Sequence, residues 1–379
     1  MYMKFDTLCI HAGEEYLEYD VTPPIHLSST FKIKDINQRF LYSRTDNPTR
    51  ASLEEKLASI EGGRYALAFS SGMGALSAVF LSILGKGDKL VVSKDLYGGT
   101  KHLCKNILPR FGIKVVYVDT RDPENIVDEA GDAKLIHIET PSNPMMWISP
   151  IKEISEVAKR YGALLSVDNT FASPYIQRPL ELGADISIHS ATKYLSGHSD
   201  IIAGAAVFKD EELYRNTKVL RSRLGNPLSP FDSYLLLRSI KTLGVRVERH
   251  SSNAYRIAKY LEEHPKISNV LYPFLDSFPQ YEMAKRQMRL GGGMITFNLK
   301  TDDQEKIDRF LDSFTIISKA VSLGGVESLI EQPYTMTHRE LTEEEKNELG
   351  ILRGTIRFSV GIEDVDDIIN DLSKALEAI

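Results

Sequence analysis

The chain has 379 residues, with 46 Lys+Arg against 52 Asp+Glu, a net charge of −6. With 42% hydrophobic and 26% charged residues it is too apolar to be a disordered polymer, and with a negative net charge and no Lys/Arg run it lacks a nucleic-acid footprint, so no nucleic-acid partner is expected. The length predicts about two domains and a core that needs no disulfide or metal staples.

Residues 1 to about 50 are rich in Thr, Pro and Tyr and carry little periodicity. A segment of that size is expected to be an extended arm, 1–48, either disordered or packed on a partner. Its first residues, Met1-Tyr2-Met3-Lys4-Phe5-Asp6, hold no apolar run of signal-peptide length. The most apolar stretch, Ala75 to Leu84, is too short to span a bilayer, so no membrane partner is expected. The two cysteines, Cys9 and Cys104, form no CxxC pair and suit a reducing compartment, so a cytoplasmic protein is expected.

After the arm the pattern becomes regular. Tyr65–Phe69 reads as an apolar strand, Ser70-Ser71-Gly72 as a turn and Met73–Leu84 as a helix ended by Gly85. Strand-like runs follow at Lys89–Val92, Lys114–Val118, Lys134–Ile138, Leu164–Val167 and Asp185–Ile188, with helical patterns such as Tyr97–Arg110 and Ile151–Tyr161 between them. Alternating strands and helices predict an α/β domain, 49–240, with a mostly parallel sheet covered on both faces. Phe231–His264 reads as one long helical stretch. Beyond it, strands at Met294–Leu299 and Thr355–Val360, with helical patterns near 302–313 and 364–378, predict a smaller α+β domain, 241–379.

Open α/β sheets bind ligands at the carboxyl ends of their strands. Three such ends carry polar residues here: Asp168 in Ser166-Val167-Asp168-Asn169-Thr170, Ser190 in Ser190-Ala191-Thr192-Lys193-Tyr194, and the turn Ser70-Ser71-Gly72-Met73 that opens a helix. Unpaired amides at a helix start favour an anion, and glycine lets the backbone approach it. Singly, each is ordinary: a cap, a solvated lysine, a turn. Together an anion cradle, an acid and a lysine match the needs of pyridoxal 5'-phosphate, which takes a covalent lysine, a carboxylate at its ring nitrogen and a phosphate site.

Ser190-Ala191-Thr192-Lys193-Tyr194-Leu195-Ser196-Gly197-His198 resembles the lysine motif of the Cys/Met-metabolism PLP enzymes, the group of cystathionine γ-synthase, cystathionine γ-lyase and methionine γ-lyase. The resemblance runs almost end to end. It includes Tyr42-Ser43-Arg44 with Asn47-Pro48-Thr49, Asp95-Leu96-Tyr97-Gly98-Gly99-Thr100, Glu139-Thr140-Pro141-Ser142-Asn143-Pro144, Ser322-Leu323-Gly324-Gly325 and Arg357-Phe358-Ser359-Val360-Gly361.

The resemblance implies the fold of the PLP-dependent transferases, fold type I, similar to aspartate aminotransferase. It also implies an amino-acid substrate and a homo-oligomer, a dimer with shared sites and then a tetramer. By the same resemblance, Lys193 bonds the cofactor, Asp168 faces its ring nitrogen, and Gly72, Met73, Ser190 and Thr192 hold its phosphate. Tyr97 stacks on its ring and moves protons, and Asn143 lies near its phenolic oxygen. Arg357 with Ser322 clamps the substrate α-carboxylate, and Tyr42 and Arg44 reach the phosphate of the neighbouring subunit. The expected chemistry is γ-elimination or γ-replacement on methionine, homocysteine, cystathionine or an O-acylhomoserine.

Two departures bear on substrate choice. Cystathionine enzymes commonly carry an acid before Tyr-Ser-Arg and another before Ser-Leu-Gly-Gly; here those places hold Leu41 and Val321. That neutral distal end resembles methionine γ-lyases and homoserine sulfhydrylases. Yet the cysteine of the methionine γ-lyase Tyr-Gly-Cys-Thr motif is replaced by Gly99. Cystathionine γ-synthase or γ-lyase activity stays open, and more remotely an aminotransferase or an inactive PLP-binding protein. Glu139, His137, His189 and His198 are left without a role, and no metal site is expected: the nine histidines show no HxH or HxxxH pair.

Overall fold

The computed structural model describes residues 3–14, 20–35 and 37–379. Parts of the expected arm, namely residues 1–2, 15–19 and Ile36, lie outside the described residues. Two sheets organise the rest. The larger has seven strands: β1 Tyr65–Phe69, β2 Lys89–Ser93, β3 Lys114–Val118, β4 Ala133–Glu139, β5 Leu164–Asp168, β6 Ile186–Ser190 and β7 Gly204–Phe208. Their order across the sheet is β1-β7-β6-β5-β4-β2-β3. The smaller has β8 Ile267–Leu271, β9 Met294–Leu299, β10 Ser318–Lys319, β11 Leu329–Glu331 and β12 Thr355–Ser359, in the order β10-β11-β12-β9-β8. The first three helices are α1 Phe5–His11, α2 Pro48–Glu61 and α3 Gly72–Ile83.

The period of two along each strand sorts side chains to opposite faces of the large sheet. Leu90 and Val92 join one apolar cluster with α3, while Val91 joins another with the helix Ile151–Tyr161. Both faces are therefore apolar and covered, as parallel strands require. Strands β2 to β6 pair in parallel, and β7 runs antiparallel between β1 and β6. Sequence patterning misses β7, because Gly-Ala-Ala-Val-Phe is short and has no alternation; it is buried at every residue.

Three other elements differ from expectation. The arm contains a helix, α1, held to α2 by the Lys56 ammonium, which donates to the Cys9 and Ile10 carbonyls at 2.7 and 2.8 Å. The stretch 231–264 is two helices, Pro230–Ile240 and Leu243–Glu263. At the break the Ser239 carbonyl closes a tight turn, accepting from the Thr242 amide and hydroxyl, each at 3.2 Å, and from Arg246 Nη2 at 3.0 Å. The run 97–110 is regular α-helix only over Gly98–His102; it then loosens and tightens through Leu103–Ile107 and Leu108–Phe111, where Pro109 has no N–H to give.

The antiparallel β7 also sets where α3 begins. A side chain at Gly204 would sit 2.1 Å from the Ser71 carbonyl oxygen, so the bare backbone of β7 draws the 70–72 turn against the end of β6. Gly204→Ala puts a methyl against backbone that cannot step aside. The expected outcome is a loss of about 1–3 kcal/mol, read as a lower urea midpoint with an unchanged slope.

Candidate active site

The carboxyl ends of β5 and β6, the start of α3 and two loops of the small sheet converge. Ser71 caps α3, its hydroxyl accepting from the Gly74 amide at 3.0 Å; among the described residues the Gly72 and Met73 amides have no acceptor. A Cβ at Gly72 would come within 2.9 Å of the Ser190 Cβ, so glycine is what lets α3 start against β6. Ser190 presents its hydroxyl beside those amides, and its own N–H is held by Thr170 Oγ1 at 2.8 Å. The start of α3 and the end of β6 thus lie side by side, with polar N–H and O–H groups on both. Thr192 follows close by, its hydroxyl donating to the Ala203 carbonyl at 3.2 Å and accepting from the Ala203 amide at 3.0 Å, which fastens the approach to β7.

Asp168 closes β5 and is buried. Its Oδ1 accepts from the Thr170 amide at 3.0 Å and the Thr170 hydroxyl at 2.5 Å, and Oδ2 is left for a partner. Burial raises its pKa, offset by the Thr170 bonds. Glu139 lies directly opposite on β4. Burial, and then the Asp168 charge, push Glu139 well above the usual carboxylate range. Such a pair of buried carboxyls calls for a cation beside it, and a protonated pyridine ring is one. Glu139, left without a role by the sequence, accepts the Tyr97 amide at 2.7 Å and so fixes where that tyrosine leaves its loop.

Tyr97 is 47% exposed. A Cβ at Gly99 would press to 2.6 Å from its ring and 3.0 Å from Met73 Sδ. The missing side chain at 99 is therefore the space in which the Tyr97 ring lies, next to the start of α3.

The lysine and the arginine meet through Ser322. Lys193 Nζ donates to Ser322 Oγ at 2.8 Å, and the Ser322 carbonyl accepts from Arg357 Nη2 at 3.0 Å. Ser322 holds this double role at φ 91°, a conformation that costs a non-glycine residue energy. Arg357 Nη1 donates to Asn143 Oδ1 at 3.1 Å, which ties the small sheet to the loop after β4. Burial, and next the Arg357 charge, lower the Lys193 amine to about 8. A lysine poised there is a base near neutral pH.

Sequence reasoning misses Glu331, on β11 directly opposite Arg357 on β12, whose carboxylate pairs with Arg357 Nη2 at 2.9 Å. The one local signal is an acid two residues before Pro333. The histidines take structural places. His189 Nε2 meets buried Glu61 at 3.0 Å, His137 meets Ser166 at 2.9 Å in the core, and His198 meets the Ser196 carbonyl at 2.7 Å.

The arm residues are not brought into this cluster within one chain. Arg44 Nη1 donates to the Ser222 carbonyl at 2.9 Å and lies over the Tyr42 ring, and Tyr42 pairs with Thr30. Among the described residues no hydrogen bond or ring contact joins either to Lys193, Asp168 or the start of α3. Leu41 pairs through its carbonyl with the Phe31 amide, while Val321 adjoins Ser322 and is 53% exposed.

The chain belongs to the Cys/Met metabolism PLP-dependent enzyme family, which matches residues 6–377. It is similar to a cystathionine beta-lyase of Coxiella burnetii, at 47% identity over 98% of this chain and 97% of that one. It is likewise similar to an L-methionine gamma-lyase of Pseudomonas deceptionensis, at 43% identity over 99% and 98%. The crystal structure of cystathionine gamma-lyase from Lactobacillus plantarum complexed with L-serine superposes with a TM-score of 0.95, at 40% identity over 100% of this chain and 99% of that one. The protein is thus a PLP-dependent enzyme with a fold of type I, and its cofactor is pyridoxal 5'-phosphate. Among the described residues no helix is long and apolar enough to cross a membrane.

In the cofactor-free protein, labelling of Lys193 by an amine-reactive anhydride should rise with a midpoint near pH 8, far below exposed lysines. Arg357→Met removes a neighbouring positive charge and should move that midpoint upward. Mass-spectrometric quantification of the Lys193 peptide across pH checks both.

Proposed function

We propose that this enzyme is a carbon–sulfur lyase for sulfur amino acids, acting by γ-elimination or γ-replacement on substrates with a short uncharged tail. Methionine and homocysteine are the first choices and O-acylhomoserines the next. The observation that carries the reading is the line Lys193–Ser322–Arg357–Asn143, which sets a base with its pKa lowered to about 8 beside a carboxylate clamp.

In this reading Lys193 binds the cofactor, Gly72, Met73 and Ser190 hold its phosphate, with Thr192 beside them, and Asp168 faces its ring nitrogen. Asn143 stands near the phenolic oxygen, and Tyr97 covers the ring. The bound cofactor supplies an electron sink next to the substrate Cα. Arg357 and Ser322 anchor the α-carboxylate, which fixes the Cα–H bond toward Lys193. The Lys193 amine takes the proton from Cα and gives it up at a position other than Cα, and then removes a second proton at Cβ, which opens the way for a γ-substituent to leave. Tyr97, exposed at the mouth, is placed to hand a proton to the departing thiolate. Seating the substrate over Lys193 excludes water from the amine, which keeps it neutral and basic.

We further propose that Tyr42 and Arg44 act in the site of a second copy, within a dimer that pairs into a tetramer. Support comes from their exposure and from the polar arm that carries them. Leu41 of that second copy would then sit with Val321 at the distal end. A second reading, cystathionine cleavage, is favoured by the 47% identity to a cystathionine beta-lyase. It needs only one proton removal, at Cα, when sulfur leaves from Cβ.

Borohydride reduction of the yellow holoenzyme followed by peptide mapping should place the cofactor on Lys193; another lysine would refute the assignment. In an assay of purified protein with methionine, homocysteine, cystathionine and O-acetylhomoserine, with and without added thiol, kcat/KM should be higher for uncharged tails. Leu41→Glu or Val321→Glu should shift the ratio toward cystathionine by roughly ten- to a hundredfold, since a partly desolvated carboxylate would face its ammonium. A wild type that prefers cystathionine, with glutamates that change nothing, would overturn the neutral-pocket reading. Mixed oligomers of Lys193→Ala and Arg44→Ala chains should regain part of the lost activity, because one composite site becomes whole.

A further inference from the structure

Glu331 is 1% exposed and Arg357 3%, and they face each other across the antiparallel pair β11–β12. Cross-strand neighbours of this kind project from the same face of a sheet. Glu331 Oε1 is ion-paired with Arg357 Nη2 at 2.9 Å and accepts from the Thr337 hydroxyl at 2.8 Å, while its Oε2 is buried with no hydrogen-bond partner among the described residues.

A guanidinium has five N–H donors, and two are taken here: one on Nη1 by Asn143 and one on Nη2 by the Ser322 carbonyl, while Glu331 Oε1 is paired with Nη2 by charge at 2.9 Å. A carboxylate is gripped at two points either end-on, by Nη1 and Nη2, or side-on, by Nε and Nη2. Both grips need an Nη2 hydrogen. A substrate carboxylate held at two points therefore brings a third oxygen to Nη2, where the Ser322 carbonyl and Glu331 Oε1 already lie at 3.0 and 2.9 Å.

Ser322 is the costlier one to move. Its carbonyl belongs to a backbone braced by Gly324, whose amide donates to Ser359 Oγ at 2.9 Å and where a Cβ would lie 2.7 Å from the Tyr194 amide. Glu331 is a side chain that keeps Thr337 when it releases Arg357. Two carboxylates on one guanidinium also repel each other.

We propose that Glu331 is a resident counter-ion of the clamp: it occupies Arg357 in the free enzyme and is exchanged for the α-carboxylate of the incoming amino acid. The proposal rests on the reading of Arg357 as that clamp. Glu331 acts through Arg357 and is a positioning residue. It keeps a buried guanidinium paired and aimed while the site is empty, and each ligand must compete with it. Apparent affinity is reduced by the fraction of sites in which the clamp is engaged.

The test uses the holoenzyme and two ligands without a leaving group: L-norleucine, and n-pentylamine, which is the same molecule without its carboxylate. Binding is read from the change in the cofactor's visible spectrum. Glu331→Gln should tighten L-norleucine by about tenfold, as expected when roughly nine clamps in ten are engaged beforehand, and leave n-pentylamine nearly unchanged. Glu331→Asp, which keeps the charge but stops a methylene short of Nη2, should move in the same direction and serves if the glutamine variant does not fold. Norleucine binding that is unchanged or weakened relative to pentylamine in the folded variant overturns the exchange and makes Glu331 a fixed support. A wild-type holoenzyme that binds pentylamine as tightly as norleucine overturns instead the assignment of Arg357 as clamp, and the exchange with it.

Discussion

A guanidinium with almost no exposure must find its acceptors inside the protein, because a buried unpaired charge costs several kcal/mol even after relaxation. Arg357 finds them on three separate pieces of chain: Asn143 after β4, the Ser322 carbonyl before β11, and Glu331 on β11. That one requirement fastens the small sheet to the large one at the place where Lys193 also ends. Ser322 belongs to both halves of the arrangement, accepting from Lys193 on its hydroxyl and from Arg357 on its carbonyl. The geometry of the clamp and the basicity of the lysine are consequently set by the same few bonds.

A second electrostatic problem sits on the other side of Lys193. Asp168 and Glu139 are neighbours across β4 and β5, both buried and both with raised pKa values. Two carboxyls in such a place are favourable when a cation lies against them, and the ring nitrogen of pyridoxal phosphate is a cation when protonated. Thr170 occupies one oxygen of Asp168 and the Tyr97 amide one oxygen of Glu139, so both carboxyls are held in fixed orientations. The loop that carries Tyr97 is thereby built into the same electrostatic unit as the acid.

Much of the fold and site is legible in residue order. The ends of β5 and β6 are visible because apolar runs stop abruptly at Asp168 and Ser190, and the start of α3 because Ser71-Gly72 precedes a helical period. Periodicity runs 231–264 together as one helix because the break is a tight turn in which Thr242 and Arg246 share one carbonyl, a contact that a hydrophobic pattern does not register. It passes over β7 because a strand buried on both faces and only five residues long has no alternation to detect. The bonds of the Thr192 hydroxyl to Ala203 are likewise not legible, because only pairing at β7 brings that partner near.

The sequence by itself determined the chemistry: a lysine, an acid and an anion cradle at strand ends, within motifs that place the chain in a PLP-dependent family. Those features are local, written in a few consecutive residues each, and spacing along the chain carries them. Tertiary structure alone decided how charges are balanced. Glu331 became the partner of Arg357 through antiparallel register, Glu139 the neighbour of Asp168 through parallel register, and Gly99 the space for the Tyr97 ring through the close approach of Met73. Strand register, which no local pattern encodes, sets the first two pairings, and the docking of the small sheet against the loop after β4 sets the bond between Asn143 and Arg357, more than two hundred positions apart.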